Sequence, residues 1–311
     1  MQKLISILLL VMLCFTAAAD EGTDDLTWQD RSLASLVLVD RVHDPEAFWS
    51  FDEDAELLHI WFPRIHDCDA AVISCGGETI LIDCCDKAQA YQLTNLLMAV
   101  HARKIDRLFN THPHPDHIGG FAAVHRTAPV GELLICFHEF YNDHMQNALS
   151  VAAEQRIPVH HYADGDSFRI GSAQLTVIQK SEPDWTLNEQ SAVMKLTFGD
   201  RSFLFMADTQ PRTFERLAGM DDRSGIEADI IKYPHHGVDL LSEDFIYACG
   251  FDFAVITNTD RVTDVMAQLD SHGIPYALTA QSALHLVTDG RVWLAETFDV
   301  EQEMRGLRVP E

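Results

Sequence analysis

The stretch His112-Pro113-His114-Pro115-Asp116-His117 places three imidazoles and one carboxylate within six consecutive residues. Each of these side chains offers a nitrogen or oxygen donor to a divalent ion. Pro113 and Pro115 push the residues before them, His112 and His114, into extended backbone. Side chains two apart on an extended chain project to the same side, so both imidazoles can face one ion. Asp116 and His117 follow as the chain turns, and Gly119-Gly120 is expected to let the backbone bend tightly there. A solvated histidine-rich loop would need no such framing. This segment follows a predicted strand and precedes a predicted helix.

Working outward, residues 105–110 read as the strand that feeds the motif. Residues 87–103 carry helical spacing, with Leu93, Leu96, Leu97 and Val100 on one face. Strands are predicted over 57–62, 70–75 and 79–83, the last two joined at Gly76-Gly77. Further strands are expected over 132–136, 173–178, 192–198 and 202–206. Strands at 229–232 and 253–256 then alternate with helices starting near Ser242 and Thr263. A last hairpin, 283–288 with 292–295, turns at Asp289-Gly290. This mixture predicts two packed sheets covered by helices.

Three further stretches share the register of the histidine motif: Asp69-Ala70-Ala71-Val72-Ile73 running to Asp83, Ser202 through Ala207-Asp208, and Ala228-Asp229 through Lys232-Tyr233-Pro234-His235-His236-Gly237. Together with His112-x-His114-x-Asp116-His117, they resemble the metallo-β-lactamase superfamily over roughly residues 57–293. The resemblance implies an α/β fold, the αββα four-layer sandwich of two mixed sheets flanked by helices. The Pro-His-His-Gly ending is similar to a narrower group, the hydrolase domain of bacterial competence DNA-uptake channels and the phosphorylcholine esterases.

Carried over by position, the resemblance implies that His112 and His114 bind a first metal. Asp116, His117 and His236 bind a second, and Asp208 bridges the two. Asp83 is expected to orient a ligating histidine rather than to bind metal itself. His235 becomes a candidate proton donor or phosphate contact, and Asp116 the residue that holds the attacking water. Many members of the family place another histidine shortly before the bridging aspartate. Here that neighbourhood reads Asn188-Glu189-Gln190-Ser191, so the first site is expected to bind weakly, unless His138, His144, His160 or His161 reaches in. Zn2+ in two sites is the expected cofactor, with Mn2+ a credible substitute. Val238 stands where relatives commonly have serine, and Ala207 where they have glycine.

These residues imply a hydrolase that uses a metal-activated water on a phosphodiester or other phosphoester. A lactonase or β-lactamase-type hydrolase of cyclic esters or amides is the nearest alternative, and the missing histidine argues against it. A non-catalytic metal-binding or scaffold protein is the alternative from another class, and retention of all six ligands speaks against that.

Composition bounds the rest. With 47% hydrophobic and 23% charged residues among 311, the chain can build a sizeable core. A formal charge of −26 repels polyanions, so nucleic acid is a poor substrate and a small molecule or phosphoester a better one. Met1-Gln2-Lys3, the apolar run Leu4 to Phe15 and Ala17-Ala18-Ala19 form the three-part pattern of a secretory leader. The chain is therefore expected to divide into a signal peptide at 1–19, an acidic extension at 20–55 and a hydrolase domain at 56–311. It should be secreted or extracytoplasmic, in a periplasm or outside the cell, with no transmembrane segment after cleavage. Cys68, Cys75, Cys84, Cys85, Cys136 and Cys249 remain beyond the leader. They read mostly as small buried apolar residues, with room for one or two bridges whose pairing stays open. Adjacent Cys84 and Cys85 are poorly placed to bridge each other.

Overall fold

The computed structural model describes residues 36–39, 51–52, 54–137, 142–178 and 182–306. The expected leader and His138 lie outside them. Sixteen strands among the described residues form two sheets. The first holds β1 (Leu36–Val39), β2 (Leu58–Phe62), β3 (Ala71–Cys75), β4 (Glu78–Ile82), β5 (Ile105–Asn110), β6 (Val130–Ile135), β7 (Val159–His161), β15 (Ala283–Thr288) and β16 (Trp293–Phe298). The second holds β8 (Ser167–Ile170), β9 (Ala173–Ile178), β10 (Val193–Phe198), β11 (Arg201–Phe205), β12 (Ile230–Lys232), β13 (Phe253–Ile256) and β14 (Tyr276–Leu278).

Strand periodicity explains how the sheets meet. Along β2, Leu58, Ile60 and Phe62 are buried and point inward, while His59 and Trp61 point the other way. The inward set joins Ile73, Ile80, Leu196, Phe203 and Val255 in a core between the sheets. Burying each such side chain contributes roughly 1.5–3 kcal/mol. A second core lies outside the nine-stranded sheet, where Leu93, Leu96 and Leu97 of the helix Ala90–Ala99 pack with Phe121 and Met145. A third lies outside the other sheet, built on Phe214, Phe245 and Leu269 from the helices Pro211–Ala218, Glu243–Cys249 and Thr263–Ser271. Two mixed sheets between two helical layers is the predicted architecture.

Topology then fixes where chemistry can sit. Strands β4 to β7 run parallel in one sheet, and β11 to β14 run parallel in the other. Side chains beyond the carboxyl ends of β4, β5, β11 and β12 converge where the sheets abut. Hydrogen bonds from Asp67 N to Thr257 O (2.9 Å) and from Ala192 N to Thr111 O (3.1 Å) hold the two edges together.

Some elements carry no pattern that a single sequence reveals. Leu36–Val39, inside the acidic extension, pairs in parallel with β16 as an edge strand. Helices at Asp143–Gln155 and Val300–Gly306, and the short strands β7, β8 and β14, were not expected either. The predicted helix over 87–103 is shorter, Ala90–Ala99.

Candidate metal centre

The motif begins where β5 ends. His112 and His117 are fully buried, whereas His114 and Asp116 are partly open. His114 is extended (φ −77°, ψ 153°) as the residue before Pro115, which starts the short helix Pro115–Ile118. His112 Nε2 and His114 Nδ1 lie 3.0 Å apart, though neither residue belongs to a group of three or more ligand atoms that lie within 4.8 Å of one another among the described residues. Asn142 ties the motif to the next helix: its amide bonds Pro113 O, and its Oδ1 caps Met145 N at 3.0 Å.

The glycines act differently from the expectation. Gly119 and Gly120 have ordinary helical backbone (φ −63° and −81°), not turn geometry. A Cβ on Gly120 would stand 2.0 Å from Cys84 O, and one on Gly119 2.4 Å from Pro115 O. Close approach of Cys84 at Gly120, and of Pro115 O at Gly119, excludes larger residues here, and not a bend.

Asp116, His117, Asp208 and His236 present ligand atoms that all lie within 4.8 Å of one another. This is the second-metal set carried over from the resemblance. His117 Nε2 stands 3.2 Å from Asp208 Oδ1, and His236 Nε2 stands 3.3 Å from Asp116 Oδ2 and 3.4 Å from Asp208 Oδ2. His117 Nε2, His236 Nε2 and Asp208 Oδ1 are buried with no hydrogen-bond partner. Orphan polar atoms of this kind are costly, and a shared cation would satisfy all three at once. His112 Nε2 lies 3.8 Å from Asp208 Oδ2, so the Asp208 carboxylate stands between this imidazole and those of His117 and His236.

The backs of these ligands are held just as closely. Asp83 Oδ2 accepts from His117 Nδ1 at 2.7 Å and from Thr111 Oγ1 at 2.6 Å. Its Oδ1 accepts from Thr111 N at 2.8 Å and Asn110 Nδ2 at 3.0 Å. Nδ1 of His117 is thereby committed, and Nε2 faces the site. Behind His236, Thr257 Oγ1 lies 2.9 Å from Nδ1, and Asp69 Oδ1 lies 3.1 Å away and takes the threonine hydroxyl at 2.7 Å. Buried Lys232 bonds the Asp69 carboxylate and donates to Ala207 O at 3.0 Å. Lys232, Thr257 and Thr111, and the role of Asp69, stand outside the residues that the sequence points to. The one available signal was a lysine closing the otherwise apolar strand Ile230-Ile231-Lys232.

Electrostatics match a cation site. Burial opposes charge on Asp208, but His117 and His236 outweigh it and hold its carboxyl well below the usual range. Burial likewise disfavours imidazolium at His117 and His236, yet Asp208, with Asp83 behind one and Asp69 behind the other, raises both well above the usual value. His112 has no such compensation: burial and then His117 push it well below, so it stays neutral and able to ligate. Asp83 is raised, chiefly by burial.

Backbone strain marks the same residues. Asp83 (φ 55°), Ala207 (48°), His235 (47°) and His236 (52°) all adopt left-handed conformations without being glycine. The mirror-hand backbone at 235–236 sends the two adjacent histidines in different directions. His236 points into the cluster. His235 sits at the rim, with Nδ1 2.9 Å from Asp239 Oδ2 and Nε2 3.1 Å from Asn188 Nδ2. Asn188 also adjoins His114, in the neighbourhood expected for the absent histidine, and its Oδ1 is buried with no partner. His144, His160 and His161 are exposed and belong to neither described ligand cluster.

The family model for the metallo-beta-lactamase superfamily matches residues 64–239. Among solved structures, the metallo-beta-lactamase fold protein YhfI from Bacillus subtilis is similar at 13% identity, over 71% of this chain and 97% of that one, with a TM-score of 0.49. A Cronobacter sakazakii metallo-beta-lactamase with a HARLDQ motif is similar at 18% identity, over 55% and 73%, with a TM-score of 0.41. CmlA, a diiron beta-hydroxylase from Streptomyces venezuelae, shares 12% identity over 74% of this chain and 53% of its own, with a TM-score of 0.49. No curated protein matches the chain.

Proposed function

The chain belongs to the metallo-beta-lactamase superfamily, and from that premise we propose that it is an extracytoplasmic metal-dependent hydrolase of phosphodiesters or other phosphoesters. The observation that carries the reading is the convergence of Asp116, His117, Asp208 and His236 within 4.8 Å, with His117 Nε2, His236 Nε2 and Asp208 Oδ1 buried and unpartnered. Such a mixed nitrogen and oxygen set suits Zn2+, and Mn2+ is the substitute. His112, His114 and bridging Asp208 would hold a second ion, with Asn188, which adjoins His114 and has an unpartnered Oδ1, beside them. When bound, divalent ions of this kind lower the pKa of a coordinated water and polarise the scissile group.

The protein's own residues supply the rest. Asp116, half open and beside His236, accepts a hydrogen bond from an attacking water and orients it. Asp239 holds Nδ1 of the His235 ring and Asn188 lies 3.1 Å from its Nε2, so the ring is fixed at the rim of the site and Nε2 serves the substrate by exchanging its Asn188 contact. From there His235 contacts a phosphoryl oxygen or returns a proton to the leaving oxygen. A phosphoester is favoured over a lactam or lactone because Asn188 stands where a further imidazole is expected, and by the Pro-His-His-Gly resemblance. The leader-like N-terminus supports export. No helix among the described residues is long and apolar enough to cross a membrane.

The test is direct. Purified protein is incubated with Zn2+ or Mn2+ and, side by side, a chromogenic phosphodiester, nitrocefin and an acyl-lactone. Turnover of the phosphodiester, lost in a His114→Ala, Asp208→Ala double variant, is expected. Turnover of nitrocefin or lactone alone overturns the substrate class, and undiminished activity in the double variant overturns the site.

A further inference from the structure

Behind the metal ligands lies a cluster of sulfur that the hydrolytic reading does not use. Cys68, Cys84 and Cys85 are all fully buried thiols. They flank the two carboxylates that hold the ligand histidines from behind: Cys68 precedes Asp69, and Cys84-Cys85 follow Asp83. A backbone hydrogen bond from Cys85 N to Asp69 O (2.7 Å) joins the two segments directly, and both are tied to the 116–120 stretch, through Asp69 N to Asp116 O (3.1 Å), Cys84 N to His117 O (2.8 Å) and Gly120 N to Cys85 O (2.9 Å). The side chains sort themselves within this frame. Cys84 Sγ is directed at His117 O, 3.4 Å away. Cys85 takes a left-handed backbone (φ 51°) and its Sγ lies 3.5 Å from Asp86 O, in the same buried cluster as the thiol of Cys68. Two buried thiols of one cluster, on segments joined by a backbone hydrogen bond one residue from Cys68, need little movement to bridge. Adjacent Cys84 and Cys85 do not have that option.

We propose that Cys68 and Cys85 form a disulfide, a covalent clasp joining the segment that carries Asp69 to the segment that carries Asp83. The oxidant is a small-molecule or protein disulfide. Thiolate of one cysteine attacks it to give a mixed disulfide and release one thiol. The second cysteine displaces the other sulfur, so that both electrons and both protons end on two released thiols. Because both side chains are buried in the native fold, the exchange takes place as the chain folds. The bond closes a loop over residues 69–84. It restrains the two carboxylates that fix Nδ1 of His117 and of His236, so it rigidifies the metal centre without touching metal.

The experiment compares the full chain refolded in a glutathione and glutathione-disulfide couple with the same chain refolded in dithiothreitol. Each sample is blocked with N-ethylmaleimide and mapped by protease digestion and mass spectrometry. A linked peptide joining Cys68 to Cys85 is expected in the first arm and absent in the second. The oxidised form should melt about 5 °C or more above the reduced form. That difference should vanish in Cys68→Ser and persist in Cys249→Ser. Alkylation of both cysteines in the oxidised arm, or linkage of either to Cys84, overturns the pairing. Equal melting of the two mapped forms overturns the clasp. Should Cys68→Ser fail to fold, mapping and melting of the unsubstituted chain still decide.

Discussion

Asn188 holds its amide nitrogen 3.1 Å from Nε2 of His235, so the residue standing near the expected place of a metal-binding histidine is bonded to the histidine at the rim. That contact separates the two halves of the centre. Asp116, His117, Asp208 and His236 converge on one side of it, and His112 and His114 lie on the other, with Asn188 beside His114.

Unequal metal affinity follows. The ion held by Asp116, His117, Asp208 and His236 should bind roughly 10–100-fold more tightly than the one at His112 and His114, because amide oxygen is a weaker donor than imidazole. Competition titration with a chromophoric chelator should resolve two steps. Asn188→His should narrow the gap between them, and an unchanged ratio in that variant would show that residue 188 does not face the first site.

Asp83 should matter to metal binding although it touches no metal. It accepts four hydrogen bonds, and Asp83→Ala leaves His117 Nδ1 and Thr111 N buried and unpaired. Metal affinity should fall by roughly 10–100-fold. Stability of the metal-free protein should fall by about 3 kcal/mol. Chelator titration and urea unfolding measure the two separately, and an unchanged metal affinity would mean that the His117 ring needs no such support.

Acid should weaken the fold through a histidine far from the metal centre. On the outer face of the first sheet, His59 and His285 stack on Trp61, with ring centroids 5.1 and 4.9 Å away. His59 Nδ1 lies 3.0 Å from His285 Nε2, and His285 bonds Glu296 at 2.7 Å. Burial, and then His285, push His59 down to about 4. Below pH 6.5 the unfolded chain therefore takes up a proton at this position before the folded chain does. Stability present above pH 6.5 is lost progressively down to about pH 4, by about 3 kcal/mol over that span. His59→Phe keeps the stacking and cannot be protonated. Urea unfolding should show a shallower decline for this variant than for the unsubstituted chain, and parallel declines would refute the assignment.

Where the sequence was legible, the reason is that it encoded local rules. Alternating burial along β2 and the 3.6-residue spacing of Leu93, Leu96 and Leu97 declare their faces without knowledge of the rest of the chain. The motif His112 to His117 is equally local, since two prolines and a six-residue span preset its geometry. Asp208 and His236 were reachable only through their resemblance to a known family. What stayed hidden depends on contacts across the sheets. Lys232 looks like an ordinary strand end until Asp69 is brought beside it, and Thr257 gains its role only 21 residues after His236. Leu36–Val39 is too short and too poorly flanked to be told from loop until β16 pairs with it. Gly119 and Gly120 were noticed for the wrong reason, because Cys84 O, the atom that forbids a side chain at Gly120, is remote in sequence.

Adjacent His235 and His236 provide the sharpest test of the central claim. Metal content is measured by inductively coupled plasma mass spectrometry after purified protein is loaded with Zn2+ and dialysed. The account predicts about one or more ions per chain for the unsubstituted protein and for His235→Ala, and roughly a tenth of that or less for His236→Ala. Equal metal in the two variants, or none in the unsubstituted protein, would contradict it.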